Sequence, residues 1–170
     1  MKVAFFDRDG TIIDDYPDHE WTNIKQPIFI DGAIRTLKEV LKKGCKIIII
    51  TNQYIINEGY ITEEQYLDIT YQMLIGLKSN GIEIHDIYYC PHSKTEGCHC
   101  IKPRTGMIRQ SLKEYPNIDL SKSFMVGDST VDVELAINMK IKGFGIGVDS
   151  EYNNQKIIQL DKIEKLINYL

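Results

Sequence analysis

Two carboxylates, Asp7 and Asp9, stand two residues apart in the stretch FFDRDGT, where an apolar run ends and Gly10 lets the chain turn sharply. In water such a pair costs little. At the lip of a core the charges repel and each loses hydration, so a bound cation, a reaction, or both must offset the cost. One carboxylate can attack phosphorus while the other gives and takes a proton. A solvated acidic turn is the reading without chemistry.

Three further polar groups follow in order. Thr51 and Asn52 leave the run IIII with a hydroxyl, an amide and free backbone N–H groups, which suit phosphate oxygens and are also ordinary turn chemistry. Lys102, in CIKPRTGM, precedes a predicted helix, where an ammonium neutralises phosphate charge and screens a nucleophile. Asp128, in FMVGDSTVD, is a hard oxygen ligand at another strand end. With Asp7 and a backbone oxygen of Asp9 it meets the needs of Mg²⁺, which takes few carboxylates and keeps waters. Asp132 either supports that site at one remove or faces solvent.

The stretch CPHSKTEGCHC holds a second constellation, Cys90, His92, Cys98 and Cys100 in the pattern C-x-H-x₅-C-x-C. Three thiolates and one imidazole make a closed tetrahedral zinc site with no vacancy for catalysis. Such a site supplies about 10–16 kcal/mol of apparent binding energy, enough to order a short loop that buries little. His99 is a fallback ligand, and Cys45, before an apolar run, reads as a small core residue.

Elements that can position these groups alternate along the chain. Apolar runs at 3–6, 47–50, 84–89, 124–126 and 143–148 read as buried strands. Between them, Asp31 is placed to cap a helix carrying Ile34, Leu37 and Leu41, stopped by Gly44. Thr62 and Gln65 have capping-box spacing ahead of the stripe Tyr66, Ile69, Met73 and Leu77, which runs until Gly81. A third helix is expected over about 104–115 and a fourth from Thr130, and DKIEKLINYL reads as a last amphipathic helix. The expectation is an α/β, Rossmann-like domain over 1–170, a mainly parallel sheet with helices on both faces and the zinc loop at about 90–100. Ligands then gather where strands end, which brings all four polar clusters to one rim.

Composition narrows the function classes. Of 170 residues, 43% are hydrophobic and 26% charged, with net charge −4 and no lysine- or arginine-rich block. That disfavours a broad nucleic-acid footprint. No run reaches bilayer-spanning length and the opening MKVAFFDRD is too short for a signal peptide. A cytoplasmic location is expected, where four cysteines are thiols or metal ligands before they are disulfides.

The order D-x-D-G-T, strand–Thr-Asn, Lys-Pro, Gly-Asp-x-x-x-Asp resembles the haloacid-dehalogenase-like (HAD) phosphohydrolases over roughly residues 2–150. FFDRDGT, ITNQ, YCPH and CHCIKP are similar to its small capless branch, subfamily IIIA, with the histidinol-phosphate and D-glycero-D-manno-heptose 1,7-bisphosphate phosphatases. The resemblance implies Asp7 as nucleophile forming an aspartyl-phosphate and Asp9 as acid and base. It implies Thr51 and Lys102 on phosphate, and catalytic Mg²⁺ on Asp7, Asp9 and Asp128. Two positions depart from the pattern. Ile101 replaces an arginine that helps hold substrate, leaving Arg104 as the candidate in its place, and Tyr54, Ile55 and Glu58 follow TNQ. The implied function is Mg²⁺-dependent hydrolysis of a small phosphate monoester, on a small-molecule substrate rather than a membrane or a nucleic acid, and a monomer is expected ahead of an obligate oligomer. The competing expectations are a nucleic-acid 3′-end phosphatase and a zinc-stapled binding protein without catalysis.

Overall fold

All four side chains of β1 (Val3–Phe6) are fully buried, as a central strand of a sheet covered on both faces requires. This computed structural model describes residues 1–148, 152 and 154–170. After β1 come α1 (Ala33–Lys42), β2 (Lys46–Asn52), α2 (Glu63–Ser79), β3 (Asp86–Cys90) and α3 (Gly106–Glu114). β4 (Phe124–Gly127), α4 (Thr130–Met139), β5 (Lys142–Ile146) and β6 (Ile157–Leu160) complete the order. The strands form one six-stranded sheet, β3-β2-β1-β4-β5-β6, in which every pairing is parallel.

Alternation sorts the strand residues between two cores. Ala4, Phe6, Ile47 and Ile49 pack with Leu37 and Val40 of α1 and with Tyr66, Ile69, Met73 and Leu77 of α2. Val3, Phe5, Ile48 and Ile50 face the other way, onto Met107 and Ile108 of α3 and Leu135 and Ala136 of α4. Cys45 lies buried in the first core, as the sequence implies. The strand order turns at β1, with β2 on one side and β4 on the other, so the crevice of this fold opens above the ends of β1 and β4.

The predicted elements are present, with three differences. Gly32, in the left-handed region at φ 81°, occupies the N-cap of α1, with no side-chain cap bond. Asp31 therefore does not cap it. β6 is additional: its run IIQL pairs with β5 only through long-range contact. The last segment, Ile163–Tyr169, is a 3₁₀ helix rather than an α-helix. Its buried residues Ile163 and Leu166 are three apart, the repeat of a 3₁₀ helix, in which i and i+3 eclipse. Thr62 and Gln65 do form the capping box of α2, and Gly44 and Gly81 turn in the left-handed region where the sequence expects stops. No helix among the described residues is long and apolar enough to cross a membrane.

Candidate active site

Asp7 is the first residue beyond β1, and its N–H still donates to Val126 O of β4 at 2.9 Å. That bond sets its carboxylate beside the end of β4, where Asp128 emerges. One oxygen each from Asp7, Asp128 and Asp132 lie within 4.8 Å of one another, so the two strand ends predicted to converge do so. Two glycines make the approach possible. A Cβ built on Gly10 would lie 2.0 Å from Asp128 Oδ2, and one on Gly127 would lie 2.2 Å from Asp132 Cγ.

Lys102 reaches this cluster from the loop ahead of α3. Its Nζ lies 2.5 Å from Asp7 Oδ1 and 2.6 Å from Asp132 Oδ1, and the side chain is only 2% exposed. Burial alone would lower the pKa of the ammonium; the carboxylates of Asp132 and Asp7 outweigh it and raise it, so Lys102 stays charged. Burial holds the Asp7 carboxyl well above the usual range, Lys102 pulls it back, and Asp132, Asp128 and Asp9 push it up again. Burial, with the neighbouring charge of Asp132, raises Asp128 to about 6. Asp132 is a member of the site, not a solvent residue. Its Oδ1 holds Lys102, while its Oδ2 accepts from Ser129 N and Oγ at the start of α4.

Asp9 is fixed by residues the sequence reading did not single out. Arg8, fully buried, donates from Nε to Asp9 Oδ1 at 2.8 Å and from Nη2 to Oδ2 at 3.0 Å. Its Nη1 donates to Thr70 of α2, and its guanidinium lies 4.8 Å from the Tyr66 ring centroid and 5.6 Å from that of Trp21. Gln53 Nε2 adds a donor to Asp9 Oδ2 at 2.6 Å and one to Thr51 Oγ1 at 2.9 Å. The available signal was position: Arg8 lies between the two aspartates and Gln53 one residue beyond Asn52. An interior guanidinium is rare enough that only a built partner explains it.

Thr51 and Asn52 end β2 beside Asp7 and line the same cavity. The Asn52 amide is already engaged, accepting from Lys102 N at 2.8 Å and donating to Lys102 O at 3.2 Å. It positions the lysine. Arg104 is exposed, donates to Cys98 O and is not among the residues that line the cavity. Ile101 does line it, with Tyr54 and Ile55.

The cavity holds about 380 Å³, with Asp7, Asp9, Thr51, Lys102 and Asp128 at its polar base. Its walls include a segment the sequence reading left unassigned, residues 15–21. Asp15 there accepts from Trp21 Nε1 at 3.2 Å, and Asp18 accepts from Tyr54 OH at 2.9 Å. Lys94, from the cysteine loop, sets its ammonium 3.9 Å from the Tyr54 ring centroid.

Cys90, His92, Cys98 and Cys100 bring their ligand atoms within 4.8 Å of one another. Cys90 ends β3, and His92 Nδ1 lies 3.1 Å from Cys100 Sγ. Burial works against the Cys98 thiolate, but the backbone N–H groups of Ile101 and Cys100 outweigh it and lower the thiol to about 7. A soft set of three thiols and one imidazole, one of the thiols lowered toward its anion, fits zinc. The hard oxygens of Asp7 and Asp128 fit a cation that prefers carboxylate and water.

Comparison with known proteins agrees with this geometry. The family model described as Polynucleotide kinase 3 phosphatase matches residues 2–157. A D-glycero-beta-D-manno-heptose-1,7-bisphosphate 7-phosphatase of Haemophilus influenzae is 38% identical, over 96% of this chain and 97% of that protein. The Histidine biosynthesis bifunctional protein HisB of Campylobacter jejuni is 35% identical over 86% of this chain and 42% of its own length. Among solved structures, the D,D-heptose 1,7-bisphosphate phosphatase from B. bronchiseptica, complexed with magnesium and phosphate, superposes with a TM-score of 0.87 at 22% identity, over 99% of this chain and 97% of that one.

Proposed function

Since this chain belongs to the Polynucleotide kinase 3 phosphatase family within the haloacid-dehalogenase-like (HAD) phosphatases, we propose that it hydrolyses a small sugar phosphate monoester through an aspartyl-phosphate on Asp7. The observation that carries this reading is Lys102 Nζ at 2.5 Å from Asp7 Oδ1, at the base of a cavity shared with Asp128.

In the first step an Asp7 oxygen bonds to phosphorus and the bond to the leaving oxygen breaks, with Asp9 handing that oxygen a proton. In the second, Asp9 takes a proton from a water that attacks the same phosphorus, which releases inorganic phosphate and restores the Asp7 carboxylate. Lys102 and Thr51 hold the non-bridging oxygens. Asn52 fixes the backbone of Lys102, and Asp132 shares the lysine so that Asp7 is not its sole counter-charge. Mg²⁺ held by Asp7, Asp128 and the Asp9 carbonyl would supply further positive charge against the phosphoryl oxygens. Unaided phosphate monoesters are among the slowest reactions enzymes accelerate, up to ~10²¹-fold, and fixed charges at the phosphoryl group suit that demand. Zinc on the Cys90–Cys100 loop would act by structure, holding the strand of chain that delivers Lys102.

The walls favour a hydroxylated metabolite. Asp15 and Asp18 set carboxylates in its walls and Lys94 a cation, whereas a nucleic-acid strand would meet those acids, and the sequence has no lysine- or arginine-rich block. The test is turnover with Mg²⁺ across heptose 1,7-bisphosphate, histidinol phosphate and a 3′-phosphorylated oligonucleotide. Release of phosphate from the sugar ester ahead of the others supports the reading. A preference for the oligonucleotide that falls steeply with salt overturns it.

A further inference from the structure

The helix α2 is apolar on two opposite sides. Tyr66, Ile69, Met73 and Leu77 are buried against the sheet. Facing away from them, Leu67, Tyr71 and Ile75 are 51%, 64% and 52% exposed. They recur at every fourth residue and so form one stripe along the outer surface. Single exposed apolar residues need no explanation, but a continuous stripe on a helix already buried on its other face calls for a partner.

The order of residues along the stripe identifies that partner. Leu67 and Ile75 lie four residues either side of Tyr71, and Glu64 and Lys78 lie seven either side, about 10 Å away along the axis. Glu64 and Lys78 share the stripe's angular sector, within about 20° of Tyr71 at 100° per residue. The sequence of the face is thus symmetric about Tyr71 in size and antisymmetric in charge. Two such faces laid antiparallel set Leu67 on Ile75, Tyr71 on its own copy, and Glu64 opposite Lys78 at both ends. Laid parallel they oppose Glu64 to Glu64 and Lys78 to Lys78. The acidic start of α2, with Glu63, Glu64 and Asp68, and its basic end at Lys78 extend the same preference.

We propose that α2 is the contact of an isologous dimer, pairing antiparallel with α2 of a second copy of this chain about a two-fold axis at Tyr71. The contact lies on a helix face that takes no part in the phosphate cavity, so it does not rest on the proposed reaction.

Sedimentation equilibrium of the full chain over a concentration series up to ~1 mM reads the association directly. The expected result is a reversible monomer–dimer equilibrium, lost in Tyr71→Lys with the thermal midpoint and phosphatase activity preserved. Glu64→Lys and Lys78→Glu singly each weaken the dimer by ~10-fold, because the two-fold axis counts each reversed charge twice. The double variant Glu64→Lys/Lys78→Glu restores it. A wild type that stays monomeric across the series overturns the proposal. So does a dimer indifferent to Tyr71→Lys, which would associate through another face, and so does failure of the double variant to recover while its fold is intact.

Discussion

Arg8 holds Asp9 with a two-point clasp, Nε to Oδ1 at 2.8 Å and Nη2 to Oδ2 at 3.0 Å, although the residues are adjacent in the chain and Arg8 is buried beneath the site. The clasp fixes the plane of the carboxylate proposed to move protons, and the flanking rings of Tyr66 and Trp21 keep the guanidinium from rotating away.

Lysine at position 8 keeps the charge and loses the fork. Arg8→Lys is therefore expected to lower kcat by ~10²-fold with KM changed much less, since the damage falls on orientation rather than on phosphate binding. Steady-state kinetics beside a thermal melt separate the outcomes: a kcat near wild type in a folded variant removes Arg8 from the proton-transfer geometry.

The pair Asp132 and Lys102 gives a second expectation. With Asp132 neutral, Lys102 leans on Asp7 alone and holds the proposed nucleophile back. Asp132→Asn should slow turnover by ~10-fold or more and cost about 1–3 kcal/mol of stability, because a buried ammonium loses one of its two charged partners. Lys102→Ala, which leaves the phosphoryl oxygens without their ammonium, should cost ~10³-fold in kcat/KM. Equal losses in the two variants would place both residues in a purely structural role.

Magnesium should stabilise the protein in a pH-dependent way. Burial and the charge of Asp132 raise Asp128 to about 6, and Asp7 is raised also. A carboxyl raised in the folded state favours folding while protonated, and that contribution disappears as pH rises through its folded value. Without a divalent ion, stability from this group is therefore lost between about pH 4 and about pH 6, and Mg²⁺ offsets the loss above that range. Thermal melts should show a Mg²⁺-induced rise in Tm at ~pH 7.5 that shrinks by ~pH 5. A rise of equal size at both values would mean the ion binds elsewhere.

Loss of the proposed zinc should reach the active site through the chain. Cys100 lies two residues before Lys102, whose backbone is held by the Asn52 amide, so disorder in the loop is expected to loosen that hold. Cys100→Ala should lose the metal, measured by elemental analysis, and with it lose at least ~10-fold in activity and several degrees of Tm. Full activity in the metal-free variant would confine zinc to the loop.

Much of this architecture was legible because its signals are local. Gly127 and Asp132 belong to one short motif, Thr62 and Gln65 carry their cap in their spacing, and the strand runs are apolar along their length. What was not legible depends on partners far away in sequence. Asp31 looks like a cap until the chain places Gly32 there in a left-handed turn, against Glu164 more than a hundred residues later. β6 has no alternation strong enough to mark it before β5 lies beside it. Nothing local marks Arg8 until Thr70, Tyr66 and Trp21 surround it, and the contact between the Arg104 guanidinium and Cys98 O has no signal in the spacing of the two residues.

The most direct measurement is chemical trapping of residue 7. Borohydride added during turnover of a sugar phosphate reduces an acyl phosphate, and peptide mapping by mass spectrometry locates the reduced residue. The expected result is conversion of Asp7 to homoserine, dependent on Mg²⁺ and substrate, and absent in an Asp7→Asn variant that has lost its turnover. Reduction at another carboxylate, or undiminished phosphate release by Asp7→Asn, would contradict it.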